Sequence, residues 1–134
     1  MVDEYEIANR REFKRFPFSP SEEVLGLVSL TDTDHDIHHF KIADIGAGGL
    51  RFIVRREDLP TIDYGNTLFL KSINGESRLA FLGPQELEIM WFLDKRIFAY
   101  VLIGCRFKKI SKDKQNRVDE FIEFKIHQGK KGNT

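Results

Sequence analysis

Only one cysteine, Cys105, occurs in the 134 residues, so no internal disulfide can form, and its apolar neighbours make it a small buried hydrophobe of a reducing compartment. No run approaches the roughly 20 uninterrupted apolar residues that a membrane helix needs. The first residues, Met1-Val2-Asp3-Glu4-Tyr5-Glu6, are acidic where a signal peptide would be basic. These absences lead us to expect a cytoplasmic protein without membrane insertion. An excess of either charge is also missing: 21 Lys and Arg balance 21 Asp and Glu. No global field exists to hold a nucleic-acid backbone or an anionic membrane, so any anion must be gripped by a local cluster.

What is present suits one folded domain. Hydrophobic residues make up 41% of the chain, twelve of them Phe, enough for a core at this length without a structural metal. Val24 to Leu30, Ile37 to Ile45, Leu50 to Val54, Thr67 to Ile73, Gln85 to Leu93 and Arg96 to Phe107 read as strands. Between them Asp32 to Asp36, Gly46 to Gly49, Asn74-Gly75 and Asp94-Lys95 supply turns. The period then changes. Val118, Phe121, Ile122 and Ile126 recur at helical spacing after Ser111 as N-cap, with Lys125, His127 and Lys130 at the negative end of the helix dipole. The fold class expected is mainly β: a six-stranded antiparallel, split β-barrel with a C-terminal α-helix. Residues 1–21, interrupted by Pro17 and Pro20, form an N-terminal arginine loop, and residues 22–134 form the barrel with its helix.

Two features carry chemistry. Arg10, Arg11 and Arg15 crowd one loop, and guanidinium forks suit phosphate oxygens and the O6/N7 edge of guanine. A solvated basic turn paired with Asp3, Glu4 or Glu12 would produce the same cluster. Asp44-Ile45-Gly46-Ala47-Gly48-Gly49 stands between two strands, where a carboxylate can accept from the N1 and N2 hydrogens of guanine and glycines admit close approach. A tight hairpin explains that run equally well.

Together the two features resemble the PilZ domain, whose signatures are Arg-x-x-x-Arg and, some thirty residues on, Asp or Asn-x-Ser-x-x-Gly. Arg11 and Arg15 match the first, with Arg10 preceding, and Asp44 and Gly49 match the ends of the second. Gly49-Leu50-Arg51-Phe52, Gly104-Cys105-Arg106-Phe107 and the closing helix extend the likeness from about Asn9 to Ile126. The resemblance implies a receptor for cyclic di-GMP and not an enzyme. Arg11 and Arg15 would grip phosphate and guanine, Arg10 would stack on a base or hold a second ligand molecule, Asp44 would accept from guanine, and Gly49 would let the nucleotide lie close. It further implies signalling in trans, as a monomer or weak dimer, to an unknown protein effector through ligand-induced ordering of the loop. Gly46 stands where the family has Ser. One neutral hydroxyl bond is worth about 0.5 to 1.5 kcal/mol, so the loss costs about tenfold or less in affinity. The alternative that Gly46 supports is a degenerate PilZ adaptor that binds no nucleotide.

Other constellations carry less weight. His35, His38 and His39 lie near Asp32, Asp34 and Asp36, but adjacent strand residues point to opposite faces, so no metal is expected. Cys105 lacks a base partner, and no nucleophile elbow or phosphate loop occurs. Neutral net charge argues against nucleic acid, and no cofactor is expected beyond the ligand. Trp91, Phe92, Phe98, Tyr100 and Phe107 read as barrel core and cross-strand pairs, unless burial shows them to be an exposed patch.

Overall fold

In the computed structural model, which describes residues 14–33 and 35–132, the β-branched and aromatic runs form β1 (Arg15–Pro17), β2 (Leu25–Ser29), β3 (His38–Gly46) and β4 (Gly49–Arg55). They continue as β5 (Thr67–Asn74), β6 (Gln85–Leu93) and β7 (Tyr100–Phe107), followed by helix α1 (Lys112–Gly132). Six strands pair antiparallel in the order β3-β2-β5-β6-β7-β4, and β4 returns to β3 to close the barrel. Closure leaves no long unpaired edge. The extra strand, β1, lies against the second half of β3, beyond the point where β2 departs.

Alternation along each strand sends one set of side chains inward. Val28, Ile42, Phe52, Leu70, Ile89 and Ile103 are fully buried there. The end of the core near β1 is covered by α1 through Val118, Phe121 and Ile122. Ser111 caps this helix as expected, its Oγ accepting from the Lys114 amide at 3.1 Å. Phe16 and Phe18, which flank Pro17, meet the Phe121 ring at centroid distances of 6.2 and 6.3 Å, so the N-terminal strand is bound to the C-terminal helix.

Three expectations are corrected. First, the N-terminal segment is not loop throughout, because Arg15–Pro17 adds a strand to β3. Second, the last strand begins at Tyr100 and not at Arg96. The Arg56 guanidinium donates to the carbonyls of Lys95 and Phe98 at 2.8 and 3.0 Å and holds residues 95–99 as a turn. Third, Trp91, Phe98 and Tyr100 are 40%, 55% and 48% exposed and are not core, while Phe107 is buried and Phe92 packs partly buried against the core. A β-bulge between Ile89 and Trp91 changes the inward–outward parity of β6 and turns the indole onto the outer wall.

Cys105 is 5% exposed, and burial pushes its thiol up to about 12. The thiolate is therefore scarce at neutral pH. The folded protein is expected to leave an aromatic disulfide reagent unreacted over a time in which the urea-unfolded chain reacts fully. Prompt reaction of the native thiol, followed by absorbance, would contradict this placement.

Candidate functional site

The closed barrel aligns residues that are remote in sequence. One register row runs Pro17, Asp44, Arg51, Gly104, Trp91 across β1, β3, β4, β7 and β6. The neighbouring row runs Arg15, Gly46, Gly49, Arg106, Glu88 across the same strands. Residues two apart on a strand share a face. The two rows thus build one patch on the outer wall: glycine backbone in the middle, three arginines around it, two carboxylates, Asp44 and Glu88, toward opposite edges, and an indole on the far side.

Asp44 anchors the patch. It is 2% exposed, and its Oδ1 accepts from Arg15 Nη1 at 2.8 Å while its Oδ2 pairs with Arg51. A buried carboxylate is tolerable only with such partners. Burial holds the Arg51 guanidinium below its ordinary value, and nearby Arg15 pushes the same way. Arg51 Nε is buried without a hydrogen-bond partner among the described residues, so its N–H is a buried donor left unspent. Arg106 pairs with Glu88 in the adjoining row. Arg15, Gly46, Gly48, Trp91, Arg106 and Gln115 line a cavity of about 460 Å³ over the glycine floor.

Two glycines are required by close approach. A Cβ on Gly46 would stand 2.7 Å from the Lys14 carbonyl oxygen, so the bare backbone is what admits β1. A Cβ on Gly49 would stand 2.1 Å from the Cys105 carbonyl oxygen. Gly49 is therefore needed by the β4–β7 pairing.

Of the residues expected from the sequence, Arg15, Asp44, Gly46 and Gly49 come together on this patch, whereas Arg10 and Arg11 lie outside the described residues. Arg51, Trp91 and Arg106 were missed as site residues. Their signal is an outward position on neighbouring strands, which becomes visible only once register is known. The histidines do not assemble. His38 packs on Phe40 at 5.7 Å between ring centroids, His39 is exposed, and among the described residues no group of three or more His, Cys, Asp or Glu is arranged for a metal ion. No helix among the described residues is long and apolar enough to cross a membrane.

The PilZ domain family model matches residues 9–124, and the chain belongs to that family. No curated protein matches it. Among solved structures, the K. pneumonia MrkH–c-di-GMP complex superposes with a TM-score of 0.68 at 19% identity, over 92% of this chain and 55% of that one. The PilZ domain of YcgR from Escherichia coli, with c-di-GMP, gives 0.68 at 11% identity, over 92% and 97%. The Bacillus subtilis inhibitor of motility, MotI/DgrA, gives 0.63 at 13% identity, over 89% and 52%. The chain thus spans about half the length of MrkH and MotI/DgrA and nearly all of the YcgR domain. At these identities the likeness concerns the fold.

Proposed function

We propose that this chain is a regulatory receptor for cyclic di-GMP, held on the outer barrel wall between the arginines of residues 1–21 and the Asp44–Gly49 turn. The observation that carries this reading is the contact of Arg15 with Asp44 beside a glycine floor ringed by arginines. The ligand offers two phosphates and two guanines. Arg15, with Arg10 and Arg11 from the same segment, supplies forks for phosphate and for the guanine O6/N7 edge. Asp44 accepts from guanine N1 and N2, and Arg51 keeps its charge compensated while Arg15 engages the ligand. Membership of the PilZ family and the c-di-GMP named for the MrkH and YcgR structures support the same ligand.

Nothing in the patch asks for bond chemistry; its groups bind and orient. Drawing Arg15 onto the ligand alters the seat of the adjoining Phe16 and Phe18 on Phe121. The barrel surface is thereby changed for a protein effector, in trans, in the cytoplasm.

Trp91 is the sole tryptophan and lines the same cavity as Arg15, so its fluorescence is a built-in reporter. Cyclic di-GMP is expected to change that emission saturably, and GMP at equal concentration to change it little. A flat response to both, in a chain whose calorimetric titration is also flat, identifies the non-binding adaptor that Gly46 would favour.

A further inference from the structure

Beside the nucleotide patch, where β5 and β6 meet the end of β7 and the start of α1, lies a groove of about 780 Å³. Lys71, Lys108, Lys109 and Lys114 line it, against Asp32 and Glu86 as the acidic residues. Lys112 stands next to it, exposed in the first turn of the helix. Among the described residues Lys108, Lys109, Lys112 and Lys114 have no carboxylate partner within ion-pair distance. Lys108 Nζ donates to Thr67 Oγ1 at 3.0 Å, and Lys114 Nζ donates to the Pro84 carbonyl at 3.0 Å. Lys114 Nζ also donates to the Leu82 carbonyl at 3.4 Å, so of the three donors an ammonium carries Lys108 keeps two and Lys114 one. Lysines also crowd the positive end of the helix dipole, the end where cations are least welcome. Among the described residues Asp32 and Glu86, the acids of the lining, form no ion pair with Lys108, Lys109, Lys112 or Lys114.

We infer that this lysine-lined groove is a docking surface for an acidic peptide segment of a protein partner. Charge complementarity selects the occupant, and the interleaved carboxylates refine it. A duplex carries a negative charge about every 1.7 Å of its axis and would set phosphates against Asp32 and Glu86. A peptide spaces its carboxylates on separate side chains, so glutamates can reach the lysines while other residues pass the acids. Phe69, half-buried in the lining, offers one apolar contact between them. Gln85, the neutral polar side chain of the lining, is spent internally on the carbonyls of Glu86 and Lys108, leaving ammonium groups to provide the recognition. The surface is independent of the nucleotide reading and stands whether or not cyclic di-GMP binds.

The test is an NMR titration of the full chain at low ionic strength with a short peptide of glutamate and leucine. A random duplex oligonucleotide is titrated in parallel. The peptide is expected to shift the amides of Lys108, Lys109, Lys112 and Lys114. The variant Lys109→Glu/Lys112→Glu should weaken it by at least about tenfold. Both positions are exposed, and glutamate in the first helical turn favours the dipole, so the variant keeps its fold. An unchanged cyclic di-GMP titration of the variant separates this surface from the nucleotide patch. Tighter binding of the duplex than of the peptide would overturn the proposal in favour of nucleic acid. Amides that stay still, or equal peptide binding by the variant, would overturn it outright.

Discussion

Replacement of Arg15 by alanine is expected to weaken cyclic di-GMP by about tenfold to a hundredfold with little loss of stability. Two terms oppose each other. Losing a guanidinium that bonds phosphate or guanine removes about 1.5 to 3 kcal/mol, and 1.4 kcal/mol is tenfold. Against this, the free protein no longer has to part Arg15 from Asp44 before binding. That pair is worth less than the ligand contact, because the Arg15 side chain is 46% exposed and solvent screens it. Asp44 keeps Arg51 as partner, so no buried charge is orphaned and the unfolding midpoint should move little. Calorimetry with parallel urea unfolding reads both quantities. Unchanged affinity in a folded variant would remove Arg15 from the binding role.

Gly46→Ser is expected to trade stability for affinity. The new Cβ would meet the Lys14 carbonyl oxygen at 2.7 Å and Arg15 Cγ at 3.2 Å. The first of these is backbone and cannot swing aside, so β1 must lift from β3. That costs the short β1 pairing and part of the Phe16 and Phe18 contact with Phe121, about 1 to 3 kcal/mol in all. The same displacement releases Arg15 from Asp44 and adds a hydroxyl to the turn, both of which favour the ligand, by up to about tenfold together. A lower unfolding midpoint with tighter binding is the expected pair of results. Lower stability with weaker binding would mean that the docked β1 is part of the bound state.

The barrel was legible because its strands alternate and its helix has a different period. Val118, Phe121 and Ile122 announce one buried face, and Ser111 announces where it starts. Strand β1 was not legible. Its three residues include Pro17, and what stabilises it is a missing side chain at Gly46, 31 positions after Arg15. Trp91 was misplaced for a related reason: one extra residue in a bulge reverses parity, and nothing in Ile89-Met90-Trp91 marks it. Of the candidates named from the two motifs, Arg15, Asp44 and Gly49 meet on one patch, while Arg11 lies outside the described residues. Arg51 and Arg106, by contrast, read as ordinary solvent-facing strand residues until the β4–β7 register sets them on either side of Gly49 and Gly104. A site assembled from five strands is recorded in register, and register is not written in any single segment.

Isothermal titration of the unmodified chain with cyclic di-GMP bears most directly on the receptor reading. Saturable heat is predicted, fitting one or two ligands per chain and absent when GMP replaces the dinucleotide. Heat no larger than dilution, from protein whose barrel is intact by circular dichroism, would contradict it.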